Sequence, residues 1–287
     1  MRKLSAVTIL AIIATANIAC SATNKAEASV AVDQQALVKF VKNNVVKNRD
    51  VKVLGVDIIE EKTVPELPGW KVIMLTMNLE YQGQKVKAPE TFFVKDGIIA
   101  PVLIDLKTNN NFKETIKPTV PDTAYDKEHL VAGNENAKHK ILVFSDPMCP
   151  FCQEIVPDLL KSAALNPTDI AVYYYHLPLV QIHPVSPALT QIMHIAQSQG
   201  KNDMITKIYA LKINPSETKA DVIAKAVKAQ TGFVVTPAQM NAPAVLAALK
   251  GDEDMAAKLM VGGTPTIFID GKLDKMREGY KALVAKK

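Results

Sequence analysis

Residues 140–152 read KILVFS, then Asp146-Pro147-Met148, then Cys149-Pro150-Phe151-Cys152. The first six are apolar and β-branched enough for a short strand buried on both faces, and Asp-Pro ends it. From Cys149 the pattern turns helical. Pro150 falls at a first-turn position, and Ile155, Leu159 and Leu160 share one face. Pro157 lies inside this helix and is expected to kink it. Two cysteines therefore open a helix that follows a buried strand. The first four N–H groups of a helix have no internal acceptor, and the helix dipole adds partial positive charge there. Both effects favour a thiolate at Cys149. Thiolates are the nucleophiles of disulfide exchange, and two intervening residues let Cys152 close a disulfide or resolve a mixed one. By this argument Cys149 attacks and Cys152 resolves.

Two other uses of such a pair weigh less. A closed zinc site needs four ligands, yet none of the histidines 129, 139, 176, 183 and 194 forms a tight pair beside the cysteines, and there is no second C-x-x-C. No metal and no cofactor is therefore expected. A purely structural disulfide would close almost no loop, and loop closure is where cross-linking stabilises.

The N-terminus points to export. Arg2 and Lys3 precede a nearly uncharged apolar run over 4–19 and then small residues, the pattern of a signal peptide, short for a membrane span. A retained N-terminal anchor is the other reading. Ile18-Ala19-Cys20 resembles the end of a lipobox, with Asn17 where that pattern prefers Leu, so Cys20 is a candidate for lipidation. Ala26-Glu27-Ala28 is the competing cleavage site. A mature chain left with one C-x-x-C suggests a redox tool rather than a disulfide-stapled scaffold. The formal charge of +5, which includes Arg2 and Lys3, comes with no dense basic patch or interleaved aromatics, so nucleic acid is not an expected partner.

The rest of the chain divides by pattern. After the leader and tether (1–28), Leu37, Phe40, Val41 and Val45 recur at helical spacing, with Asp33 as candidate N-cap. Four β-rich segments follow, at 51–60, 70–81, 85–94 and 97–105, separated by turn chemistry at 65–69, Gln82-Gly83 and Asp96-Gly97. A helix and a four-stranded meander make an α+β unit over 29–106, and such a sheet leaves edges open to a second copy. Trp70 is read as core. Residues 107–132 are expected to be a linker ending in a short helix stopped by Gly133. From 133 to 287 the order is strand, helix, strand, helical block (about 187–260), strand, helix, which favours an α/β sheet covered on both faces. Tyr173–Tyr175 fit strand packing on both faces, and His176 and His183 fit the polar ends of a strand and loop better than the border of a substrate groove. Gly262-Gly263-Thr264-Pro265, just before the apolar run 266–269, suggests a tight turn with an X-Pro bond that is cis at low cost.

The pairing of Cys149-Pro150-Phe151-Cys152 with Thr264-Pro265 resembles the thioredoxin superfamily, over about residues 140–287. The stretch from Phe144 to Cys152 is similar to the active-site segment of the periplasmic DsbG and DsbC group. The resemblance implies a thioredoxin-like catalytic domain with a helical insertion behind a cystatin-like N-terminal dimerisation domain. It implies thiol–disulfide interchange in the periplasm, of the isomerase or reductase type, by a homodimer. Misoxidised or unfolded exported proteins would be its clients, and a DsbD-like or DsbB-like membrane protein its redox partner. Pro265 would be the cis proline, and Thr264 would pair its backbone with an extended client. Met148, Pro150 and Phe151 would surround the site. Val143 stands where thioredoxin itself has a buried acid, Phe151 replaces the His of the DsbA motif, and the second cysteine pair of DsbC is missing. A DsbA-like net oxidase is the alternative enzyme. A chaperone that holds unfolded clients is the alternative of another class.

Overall fold

The computed structural model describes residues 33–284; the leader, Cys20 and the Ala26-Glu27-Ala28 site lie outside them. Asp33 caps the first helix, its carboxylate accepting from the Gln35 N–H. That helix, α1 (Gln34–Phe40), continues as one wider turn to Val45. The antiparallel sheet that follows has the order β1 (Val51–Thr63), β2 (Lys71–Tyr81), β3 (Gln84–Lys95), β4 (Ile98–Ala100). Two of its three hairpins turn tightly on Gln82-Gly83 and Asp96-Gly97, all four residues at positive φ. This geometry matches the twist of paired strands and costs glycine nothing. Pro89 sits opposite Thr76 of β2, where β4 no longer covers β3, so its missing N–H faces no strand.

Leu37 of α1 and Val41 of the wider turn after it pack on Val56, Ile73, Leu75 and Phe92 across one face of this sheet. The other face buries Val72, Met74 and Phe93 against Leu67 and Phe112, with Trp70 and Met260 at the margin. Met260 belongs to the second half of the chain. The halves are also joined by the Lys117 ammonium donating to the Met260 carbonyl at 3.0 Å, and by the Thr119 N–H and hydroxyl donating to the Glu60 carboxylate at 2.7 Å each.

The linker differs from expectation. Its helix is the single turn α2 (Phe112–Thr115). The segment read as the terminal helix is instead a turn and a strand, β5 (Leu130–Ala132). The Asp126 carboxylate accepts from the N–H groups of Glu128 and His129, which holds a turn in place of a helix. Leu130 and Ala132 then pair with a neighbouring strand. Gly133 marks no helix end. At φ +81°, a Cβ there would lie 1.9 Å from the Ile170 carbonyl oxygen, so only glycine lets the two backbones approach.

The second sheet has five strands in the order β5, β7 (Ile170–His176), β6 (His139–Ser145), β8 (Thr266–Ile269), β9 (Lys272–Leu273), with only β6 and β7 parallel. Every residue of β7 is buried, as expected of a strand covered on both faces. Tyr174 packs on one side, with α3 (Pro150–Leu165) and the helical block. Tyr173 and Tyr175 pack on the other, with Ala256 and Leu259. The block between β7 and β8 comprises α4 (Ser186–Ser198), α5 (Asp203–Tyr209), α6 (Ala220–Thr231), α7 (Pro237–Met240) and α8 (Pro243–Lys258). α9 (Gly279–Val284) begins only after the Asp274 carboxylate has accepted from the N–H groups of Met276 and Gly279.

Candidate active site

β6 ends at Ser145, and the chain turns through Asp146-Pro147-Met148 into α3. Cys149 is the N-cap of α3. Its carbonyl accepts from the Gln153 N–H at 3.0 Å, while its side chain caps nothing. Pro150 takes the first helical position, where its missing N–H is no loss. The Cys149 thiol instead points across the sheet end to the Thr264 carbonyl, 3.4 Å away. The Thr264-Pro265 bond is cis. The loop is closed by the Thr266 hydroxyl donating to the Gly263 carbonyl at 2.7 Å. Neither Gly262 nor Gly263 uses a positive φ; the left-handed residue of this loop is Met260.

Cys152, one turn along α3, is fully enclosed, and the two thiols are not joined. Burial pushes the Cys152 thiol up to about 12. The Ser145 hydroxyl, the Asp146 backbone and the Thr264 hydroxyl pull part of the way back. The Thr264 hydroxyl is buried with no hydrogen-bond partner. Phe151 lies outside, 60% exposed, with the Arg277 guanidinium 5.8 Å from its ring centre.

Asp146 was legible in the sequence only as a strand breaker. In the structure its carboxylate is fully buried and accepts four hydrogen bonds. The donors are the Met148 N–H (2.7 Å), the Leu179 N–H (2.6 Å), the Ser186 hydroxyl (2.7 Å) and His183 Nδ1 (3.1 Å). One carboxylate thus ties the cysteine turn to the loop after β7 and to the start of α4. Val180 and Ile182 in that loop are exposed, as is Met276, next in sequence to Arg277.

His176 and His183 part company. His183 belongs to the Asp146 cluster. His176 is buried on another side, in a cavity of about 270 Å³ lined also by His129, His194, Asp126 and Asp252. The Asp252 carboxylate, on α8, accepts the His176 backbone N–H at 2.8 Å and meets His129 Nε2 at 2.8 Å. His176 Nε2 lies 2.6 Å from the Gln197 amide oxygen, and its Nδ1 has no partner. Nε2 therefore carries the proton of the neutral ring, and a second proton would place a charge on a buried ring. Burial lowers His176 to about 4, against the opposing pull of Asp252. His194 is also lowered, chiefly by burial. At His129 burial also lowers the value, but Asp252 and Asp126 together outweigh it and leave it raised. The depressed His176 contributes stability that is present above its unfolded value of about 6.5 and is lost as pH falls toward 4. By pH 5 the loss is about 2 kcal/mol. His129 acts with the opposite sign, its contribution fading as pH rises through its folded value. Urea unfolding at pH 7 and pH 5 isolates His176: in His176→Gln the drop should be smaller by about 2 kcal/mol. An equal drop in both proteins would remove His176 as the cause.

A strand–C-x-x-C–helix unit beside a cis-proline loop, on a five-stranded sheet with a helical block, defines a thioredoxin-like fold. The sequence profile described as Thioredoxin matches residues 125–285, more than half of the chain, and the chain belongs to that family. Among curated proteins it is similar to the thiol:disulfide interchange protein DsbA of Pectobacterium carotovorum, 27% identical over 141 residues. That match covers 46% of this chain and 66% of that one, just under two thirds of its length. It is also similar to part of the Na(+)/H(+) antiporter NhaA 3 of Salinispora tropica, 23% identical over 151 residues, covering 51% of this chain and 22% of that one. Among solved structures, oxidised BdbD from Bacillus subtilis aligns at 13% identity with a TM-score of 0.46, over 59% of this chain and 98% of that one. Among the described residues no helix is long and apolar enough to cross a membrane.

Proposed function

We propose that the chain is a thiol–disulfide oxidoreductase that exchanges disulfides in exported proteins, with Cys149 as the attacking and Cys152 as the resolving thiol. The observation that carries this reading is the contrast between the two sulfurs. Cys149, itself only 6% exposed, sits at the helix N-cap against the Thr264 carbonyl at the rim, while Cys152 is fully enclosed one turn behind it. An attacking sulfur needs access and a resolving one needs only proximity. The exposed Phe151, Val180, Ile182 and Met276 suit an unfolded client, and the backbone of Thr264 suits an extended one. The leader-like N-terminus supports a periplasmic location, soluble or held by a lipid on Cys20. A DsbD-like or DsbB-like membrane protein would reset the cysteines.

For the direction of exchange, the proposal is isomerase or reductase, by analogy with the DsbG and DsbC segment around Cys149. A net oxidase is the second reading, favoured by the similarity to DsbA. The redox state of Cys149 and Cys152 in cells separates them: mostly reduced thiols fit the first, mostly oxidised thiols the second. A protein that moves no disulfide in vitro, in either direction, would sink both.

The isomerase reading also takes residues 29–106 as a cystatin-like dimerisation domain. β1 and β4 are edge strands; Ile98 of β4 is exposed, as are Ile104 and Leu106 a few residues further on. β1 is bulged at two places, a feature that blunts an edge, so the β4 side is the better candidate for pairing. Light scattering of the mature protein should give about twice the monomer mass. A monomer at micromolar concentration removes the dimeric isomerase and leaves the oxidase.

A further inference from the structure

The chain from Leu259 to Val261 straddles two cores. Leu259 and Val261 pack with Tyr173, Tyr175 and Phe268 of the second sheet. Met260, between them, packs instead against the N-terminal sheet, on the cluster of Val72, Met74, Phe93 and Phe112. Its carbonyl accepts from the Lys117 ammonium at 3.0 Å. Lys117 is in turn held by β1. Its own carbonyl accepts from the Lys62 ammonium at 2.6 Å, and Lys62 lies 3.4 Å from the Glu60 carboxylate that also binds Thr119. Met260 stands at φ +51°, a conformation that non-glycine residues seldom adopt and that persists where the surroundings over-determine it.

Four residues on lies Thr264, whose carbonyl meets the Cys149 thiol at 3.4 Å. Gly262 and Gly263 stand between. A Cβ on either would meet nothing within 4 Å, so no neighbour wedges them, and glycine has the widest backbone freedom of all. The place of Thr264 therefore depends on how the two ends of the loop are anchored. The far end is anchored by β8, where Thr266 pairs with Phe144 of β6 and its hydroxyl donates to the Gly263 carbonyl. At the near end, the N–H groups of Met260 and Val261 donate to the Ala257 and Ala256 carbonyls of α8 at 3.0 and 2.8 Å. The carbonyl and side chain of Met260 add the hold of the N-terminal half.

We propose that Met260, gripped by Lys117 and the N-terminal sheet, is a positioning residue that sets the loop from Gly262 to Pro265 for pairing with an extended client. The proposal rests on the exchange reading above and deepens it. The N-terminal half then acts on client binding within its own chain, apart from any part in dimerisation. Met260 acts only through Thr264. An unfolded client pairs main chain to main chain, and such bonds weaken steeply once distance and angle drift. A disulfide with no main chain asks nothing of Thr264. Loss of the grip should therefore weaken client binding and spare the sulfur chemistry.

The test uses the reduced full-length protein and two disulfides. One is bis(2-hydroxyethyl) disulfide, which has no main chain. The other is an extended peptide whose central cysteine carries the same hydroxyethyl group in mixed disulfide. Acid-quenched single turnovers give a second-order rate constant for each, and for the peptide a half-saturation concentration and a maximal rate. Lys117→Met keeps the stem and removes the donor. It should lower the peptide constant by roughly three- to tenfold, the factor that one hydrogen bond is worth. The loss should appear in half-saturation, with the maximal rate and the small disulfide changed by less than about twofold, the mark of lost binding rather than lost chemistry. Met260→Ala keeps the backbone demand and removes the packing, and it should act in the same way. An unchanged ratio of the two rate constants in either variant overturns the proposal. So does equal slowing of both disulfides, or a loss carried by the maximal rate alone. If Met260→Ala does not fold, Lys117→Met decides by itself. Failure of the unaltered protein to reduce either disulfide sinks the exchange reading itself, a distinct outcome.

Discussion

Cys149→Ser is expected to bring catalysed reduction of protein disulfides to background, a loss of at least roughly a thousandfold, the scale on which removal of an attacking nucleophile is felt. Cys152→Ser should behave differently. The attacking sulfur remains while the resolving one is gone, so mixed disulfides between Cys149 and its clients should accumulate on non-reducing gels. Both outcomes follow from the asymmetry of the site, with one sulfur at the helix end and the other sealed behind it. Adducts held by Cys152 in a Cys149→Ser protein would reverse the assignment. A chaperone that works without exchange would keep its protection against aggregation in Cys149→Ser and show no adducts in Cys152→Ser.

Asp146→Ala should cost the fold roughly 3–5 kcal/mol, because it strips the acceptor from donors that stay buried. Two of these are backbone N–H groups, of Met148 and Leu179, which no rotamer change can turn to water. Asp146→Asn keeps an acceptor oxygen and should cost less than half as much. Urea unfolding at pH 7 measures both. Exchange should suffer as well, since the Met148 N–H is fixed by Asp146 one residue before Cys149. A change below about 1 kcal/mol in the alanine variant would mean that the four hydrogen bonds are not holding these segments together.

The parts of the fold that were legible in the sequence are those written in local pattern. The buried runs of β6 and β7, the positive-φ hairpins at Gln82-Gly83 and Asp96-Gly97, and the Asp33 cap each follow from a few adjacent residues. Cys149, Cys152 and the Thr264-Pro265 loop were legible as candidates for the same reason. What was missed depends on partners far along the chain. Residues 130–132 are apolar enough for a helix turn, and only the free edge of β7, some forty positions away, makes them a strand. Asp146 next to Pro147 reads as punctuation; its role depends on Leu179, His183 and Ser186 returning to it. Lys117 and Met260 carry no motif at all, and they meet only once the two halves of the chain have packed together.

The Asp252 carboxylate on the His176 N–H has a consequence for how a sticky client is handled. β5 covers only the first part of β7, so the N–H groups of Tyr174 and His176 face outward past its end. The first donates to the His129 carbonyl at 2.8 Å and the second to Asp252. Unpaired strand groups at that place would template another extended chain. With both groups occupied, an unfolded polypeptide finds no foothold on that flank. On the proposed exchange reading, its extended segments are left to the Thr264 side, beside Cys149. A carboxylate borrowed from α8 thus acts as a stopper that keeps capture and chemistry in one place.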